Sequence, residues 1–294
     1  MSTEFNYILE KIKASEIVQE PFPHLHIKNF LSDDHLKTII NDQQIHFQES
    51  SSTEELILTL QRKGYIVTPH AGCITDVHSY LESLKTNNFP TDKGLLEGYG
   101  LAFRLTKYQN PLIERLISFM NGEDFKMAFM DKFGVKQDSV IMSAIQKYLN
   151  KYEISPHPDV RQKSMTYLLN INKDDSIENH DVHTYLMKFK DGYKAIEKHW
   201  DDHPEHDRAW VPWDWCEEVK VIKENNSIVA FAPTNASLHA VKLNYDHNKF
   251  QRTQIYGNCF YKVKGAGAQL GTWARNISRL YQPKYNELKQ IALK

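Results

Sequence analysis

A mainly β domain with flanking helices is what this sequence predicts, on three observations. From about residue 141 onward, short runs rich in Tyr, Val, Ile and Thr are separated by turn residues at intervals that suit antiparallel strands. Residues 1–140 instead carry apolar positions at helical spacing. The composition, 41% hydrophobic and 25% charged over 294 residues, is that of a globular chain able to bury a core.

Taken in order, Phe5, Ile8, Leu9, Ile12 and Ile17 outline an amphipathic helix over 3–18 that stops before Pro21. Pro23 to Phe30 alternates apolar and polar like a half-buried strand, and Ser32-Asp33-Asp34 then caps a helix with Leu36, Ile39 and Ile40 facing inward. The polar opening of 49–58 reads as a flexible connection, followed by helices around 75–86 and 111–120. Strands are expected near 143–152, 163–171, 182–189, 218–223, 227–232, 238–243 and 250–263, with Glu224-Asn225-Asn226 as a turn because Asn tolerates positive φ.

Charge and motif content exclude several functions. Thirty-six Lys and Arg against 37 Asp and Glu leave a net charge of −1, so no bulk attraction draws the chain to nucleic acid or an anionic membrane. No run of eighteen apolar residues occurs, and Met-Ser-Thr-Glu-Phe-Asn-Tyr reads as neither secretory nor transit signal, which makes a cytoplasmic protein the expectation. Cys73, Cys216 and Cys259 form no metal pattern and fit a reducing compartment.

In Ser155-Pro156-His157-Pro158-Asp159, residues two apart on an extended segment point to the same side, so His157 and Asp159 can offer an imidazole and a carboxylate to one metal. Alone the pair is weak, since a solvated turn gives the same pattern. His239 follows the apolar run 228–233, and two His with one carboxylate on a face are the ligand set of non-haem Fe(II) oxygenases. A barrel or jelly roll brings such distant positions together. Arg252 then lies in a strand-like segment, where an inward guanidinium requires an anion.

With these residues in order, the chain resembles the Fe(II)/2-oxoglutarate-dependent oxygenase superfamily, in its prolyl 4-hydroxylase-like branch. The resemblance runs from Glu20–Leu31 through His157-Pro158-Asp159, the strand Met165–Asn172, His239 and Arg252. It implies a double-stranded β-helix (jelly roll, cupin-like) core, iron on His157, Asp159 and His239, and Arg252 paired with the far carboxylate of 2-oxoglutarate. Tyr148 is implied as a hydrogen-bond donor to the same carboxylate. The pattern departs at Gln254, where many relatives have Ser, and at Arg252 itself, where prolyl hydroxylases use Lys. The resemblance also implies a hydroxylase consuming O2: related halogenases carry a small residue where Asp159 stands. A small molecule or a peptide side chain is the expected substrate. A catalytically silent binding module, or a cupin-type metalloenzyme that does not use 2-oxoglutarate, are the alternatives.

One oxygenase domain over 1–294 is expected: support in 1–140, the β core in 141–263 and a C-terminal extension in 264–294. An insertion at 190–217 holds four of the five tryptophans. A loop of this length is expected to act as a lid, with Trp210, Trp213 and Trp215 as pocket walls. His183, Arg161 and Arg104 are further pocket candidates. His199, His203 and His206 are expected to form no second metal site, because Pro204 breaks the helix that would align them.

Overall fold

The computed structural model describes residues 3–68, 76–89, 100–208, 210–262 and 285–292, so Cys73 and most of 264–294 lie outside the described residues. Helix α1 (Asn6–Ala14) buries Phe5, Ile8 and Ile12. It is shorter than the expected 3–18, because the chain turns extended at Ser15 and Val18 then bridges His24. Strand β1 (Leu25–Ile27) leads into α2 (Asp33–Ile40), whose Ser32 cap accepts the His35 N–H.

The expected flexible stretch at 49–58 is instead largely the start of α3 (Thr53–Arg62). Ser52 accepts the Glu55 N–H while the Glu55 carboxylate reaches back to the Ser51 N–H and hydroxyl (3.0 and 2.6 Å). That polar run is a helix cap, and Leu56, Ile57 and Leu60 are the buried face it launches. Beyond lie β2 (Tyr65–Val67), α4 (Val77–Thr86), β3 (Ala102–Leu105), α5 (Pro111–Met120) and α6 (Glu123–Phe133).

The remaining strands are β4 (Ser139–Tyr148), β5 (Glu153–His157), β6 (Lys163–Asn170), β7 (Thr184–Phe189), β8 (Cys216–Ile222), β9 (Ile228–Phe231), β10 (His239–Lys242) and β11 (Arg252–Tyr261). The expected strand at 143–152 stops at Tyr148, and Lys151 at φ 63° turns the chain into β5. The larger antiparallel sheet runs β1-β9-β6-β11-β4-β3-β2 and the smaller β5-β10-β7-β8. From β4 to β11 the chain passes between sheets at every step except the β7–β8 hairpin. That winding is a double-stranded β-helix. The turn at Glu224-Asn225-Asn226 carries the chain from the smaller sheet to the larger. Asn226 sits at φ 47°, its side chain bonded to both backbone groups of Leu31.

The period of two divides the larger sheet cleanly. Ile145, Met165, Tyr167, Leu169, Ile255 and Cys259 face the helices and join one core with Ile113, Leu116, Phe125 and Phe129. Tyr167 lies against the Phe125 and Phe129 rings (5.5 and 6.1 Å), and its register partner is Gly257, where any Cβ would run into the tyrosine ring. On the opposite face Gln146, Tyr148, Thr166, Leu168, Arg252, Gln254 and Tyr256 line a pocket between the sheets. Over the smaller sheet sit α7 (Ala195–Asp202) and α8 (Tyr285–Ala292), sharing a cluster of Met187, Phe189, Ile196, Trp200, Val211, Trp215 and Leu288. Among the described residues no helix is long and apolar enough to cross a membrane.

Candidate metal centre and its pocket

His157 ends β5 and His239 opens β10, and the two are direct partners in the antiparallel register, ring centroids 4.3 Å apart. β5 is an edge strand, which is how it accommodates Pro156. Asp159, just beyond, adopts φ 62°, a left-handed turn that Asp tolerates better than most residues. The turn points its carboxylate at both histidines: Oδ1 is 3.6 Å from His157 Nε2 and Oδ2 3.7 Å from His239 Nε2.

Both imidazoles are held the same way. His157 Nδ1 bonds Ser155 O (2.8 Å) and His239 Nδ1 bonds Ser237 O (3.0 Å). With Nδ1–H committed to a carbonyl, Nε2 keeps its lone pair directed at the space between the ligands. Burial, reinforced by neighbouring His157, pushes the His239 imidazole down to about 3, so it is neutral.

Asp159 is buried and fully engaged: Lys163 Nζ donates to Oδ1 (2.5 Å) and Thr166 Oγ1 to Oδ2 (2.6 Å). Burial alone would raise its carboxyl, but the Lys163 ammonium, then His239 and His157, outweigh it and hold the group well below the carboxylate range. Two aligned imidazoles and an ionised carboxylate, all three donor atoms within 4.8 Å of one another, fit a borderline divalent metal such as Fe(II) on one face, leaving its other positions open.

Across the pocket Arg252 is buried. Its Nη2 donates to Thr184 Oγ1 (2.9 Å), and the guanidinium lies 4.7 Å from the ring of Tyr148, its register partner on β4. Tyr148, Tyr152, Tyr185 and Tyr245 surround it, and among the described residues no carboxylate pairs with it. Burial pulls its guanidinium down from the ordinary arginine value. Tyr148 is anchored from behind: with its amide turned to satisfy both neighbours, Gln146 donates to the tyrosine hydroxyl (3.0 Å) and accepts from Arg104 (2.9 Å). Gln254 donates to Asn170 Oδ1 (2.7 Å) and keeps an unmet buried oxygen at the pocket.

The other expected pocket residues separate. Trp210 lines the pocket, its ring 6.0 Å from His157 and its Nε1 without a partner among the described residues. Trp213 and Trp215 stand away from it. Trp213 donates to Glu153 Oε1 (2.7 Å), and Trp215 stacks on Tyr193 at 4.8 Å. Both hold the insertion against the smaller sheet. His183 precedes the inward Thr184 and faces the other way, bonding Glu178 O (3.1 Å). Arg161 is a tether, donating to the carbonyls of His206 (2.7 Å) and Trp200 (2.5 Å).

Sequence reasoning missed Lys163, Thr166, Thr184 and Arg208. Lys163 lies at i+4 from Asp159 and Thr166 on the inward period of β6, a weak signal in hindsight. Arg208 is 6% exposed, lines the pocket, and has a buried Nε with no partner among the described residues.

Neither a family model nor a curated protein matches the sequence. Among solved structures the chain is similar to a Pseudomonas putida prolyl 4-hydroxylase (8% identity, TM-score 0.43, 88% of this chain and 100% of that one). It is also similar to a Trichoplax adhaerens prolyl hydroxylase in complex with a hypoxia-inducible-factor oxygen degradation domain peptide fragment (12%, 0.45, 87% and 88%). A third likeness is to a prolyl 4-hydroxylase of Phytophthora capsici (9%, 0.38, 100% and 77%). These neighbours belong to the Fe(II)/2-oxoglutarate oxygenase superfamily. Identities and TM-scores this low transfer no residue role to this chain.

Proposed function

We propose that this protein is an Fe(II)- and 2-oxoglutarate-dependent oxygenase that hydroxylates an unactivated C–H bond of a small molecule or peptide side chain. The observation that carries the reading is one pocket with a preformed cation site at one end and a buried, anion-less guanidinium at the other. His157, Asp159 and His239 would hold the iron, and Arg252 and Tyr148 the distal carboxylate of 2-oxoglutarate. Bound Fe(II), with 2-oxoglutarate and O2, would supply the oxidising power for C–H hydroxylation.

This chain's residues bind, orient and shield. Lys163 and Thr166 fix the carboxylate that faces the metal, and Ser155 and Ser237 carbonyls fix the imidazole tautomers. Arg252, walled by tyrosines, selects a dicarboxylate of the right length, because a buried guanidinium without an anion is costly. Ile154, Val160, Leu168, Ala240 and Trp210 supply the apolar lining that keeps water from the reacting C–H bond. Arg208 Nε and Trp210 Nε1, donors two residues apart with no partner among the described residues, indicate a substrate that brings an acceptor, preferably anionic, to the insertion side.

The test is an anaerobic titration of Fe(II) and 2-oxoglutarate followed by visible absorption. The weak metal-to-ligand band is expected in the wild type, absent in His157→Ala and weakened in Arg252→Ala. A folded wild type that binds Fe(II) but shows no 2-oxoglutarate-dependent band would transfer the site to a cupin-type metalloenzyme. One that binds neither would make the chain a binding module.

A further inference from the structure

The insertion carries a second cluster of metal-ligating side chains. Helix α7 ends at Asp202, and the turn at Pro204-Glu205 doubles the chain back so that His206 returns beside His199. Pro204, expected to scatter these histidines, gathers them: ring centroids are 4.4 Å (His199–His203), 5.5 Å (His199–His206) and 5.2 Å (His203–His206) apart. Stopping the helix there lets His206 fold over the last helical turn instead of continuing along the axis.

Donor spacings suit a small, borderline ion. His199 Nε2 lies 3.4 Å from His206 Nδ1, and His203 Nδ1 is 3.0 Å from Glu205 Oε1. His206 Nε2, its other nitrogen, is 3.8 Å from the same carboxylate oxygen. Ligands bound tetrahedrally at about 2.0–2.1 Å stand about 3.3 Å from one another, close to the His199–His206 and His203–Glu205 spacings, and His206 must turn to offer a single nitrogen to both neighbours. One donor atom each from His203, Glu205 and His206 already falls within 4.8 Å of the others.

We propose that His199, His203, Glu205 and His206 form a structural Zn2+ site that clamps the insertion over the pocket. Arg161, two residues past Asp159, donates to the backbone carbonyls of Trp200 and His206. Asp207, next to the cluster, accepts the backbone N–H groups of Arg161 and Arg208. Fixing the turn therefore fixes the stretch that brings Arg208 and Trp210 to the pocket. All four ligands lie on the insertion, so the site needs nothing from the iron triad.

The test uses the full-length, tag-free chain, stripped of metal, in a calorimetric Zn2+ titration. His157→Ala/His239→Ala, which disables the first site, is expected to bind one equivalent, and a chain that also carries His203→Ala/His206→Ala none. Proteolysis reads the clamp: in the His157→Ala/His239→Ala chain, Zn2+ at a hundred times its Kd should slow cleavage within 190–217 about a hundredfold, by suppressing local opening. Failure of the triad variant to bind Zn2+ while retaining the wild-type circular dichroism spectrum overturns the proposal. So does equal Zn2+ binding with and without His203 and His206. Should the triad variant unfold, the wild type against His203→Ala/His206→Ala decides by a difference of one equivalent. None of these readouts depends on oxygenase activity.

Discussion

The two ends of the pocket are built on opposite electrostatic plans. At the metal end each of the three ligand side chains has a partner within the chain: Asp159 meets Lys163 and Thr166, and each histidine donates to a carbonyl. At the other end Arg252 is equally buried, yet among the described residues its guanidinium hydrogen-bonds only the neutral hydroxyl of Thr184. The first end is complete before any ligand arrives and presents lone pairs. The second is left incomplete and presents a charge. An internally neutralised centre stabilises the fold, whereas an un-neutralised one holds its stabilisation in reserve for the ligand.

That difference predicts opposite outcomes for similar truncations. Asp159→Ala should abolish metal binding and, by stranding Lys163 as a buried charge, cost about 3–5 kcal/mol in chemical denaturation. If stability is unchanged, the metal end is not internally balanced. Arg252→Leu should leave stability within about 1 kcal/mol, since it removes a cation that has no anion. It should raise the 2-oxoglutarate requirement at least about thirtyfold, matching the 2 kcal/mol or more lost when a buried charge pair is truncated. A large stability loss without a change in cosubstrate affinity would reverse the assignment.

A third buried cation sharpens the comparison from behind the sheet. Lys147 is fully buried on the helix face, bonded among the described residues only to Thr253 Oγ1 (2.8 Å), and burial pulls its amine down to about 7. As pH falls through the ordinary lysine value of 10.5, the unfolded chain gains a proton that the folded chain refuses. Stability should therefore fall between pH 10.5 and 7, by about 1.4 kcal/mol per unit, and level off below. Lys147→Met should remove that slope in urea melts across the window, and a persisting slope would assign it elsewhere. The smallest effect expected is from Thr166→Val, which removes one bond to Asp159: about tenfold weaker Fe(II) binding by titration, with little change in fold.

Much of this was legible from residue order alone, and the misses have physical reasons. Six of the seven expected strands overlap the observed ones closely because Val, Ile, Tyr and Thr cluster there. The 143–152 strand is shifted: Val140 and Ile141 already belong to it, and it stops at Tyr148, with Lys151 at φ 63° turning the chain. β5 was hidden by Pro156, which only an edge strand accepts. Helix α6 escaped notice because Lys126 stands on its buried face, neutralised by Glu123 (2.8 Å) and donating to Ser139 O (2.9 Å). The positions His157, Asp159, His239 and Arg252 stood out through a family resemblance, and the geometry converges them on one pocket. Lys163 and Thr166 stayed invisible although they follow Asp159 by only 4 and 7 residues, because nothing in their residue types marks them as its partners, and Thr184 because it meets Arg252 across the pocket from the other sheet, 68 residues away. The insertion split: Trp210 reaches the pocket, while Trp213 and Trp215 act as anchors.

The pairing of His157 with His239 across two strands ties chemistry to assembly. Neighbouring residues on a strand point to opposite sides, so a slip of one position between β5 and β10 would turn one imidazole out of the pocket. Were a metal bound there, it would favour one strand alignment: only the correctly zipped pair presents both nitrogens to one ion. Because His239 opens β10, such a centre could form only after that strand had docked beside β5.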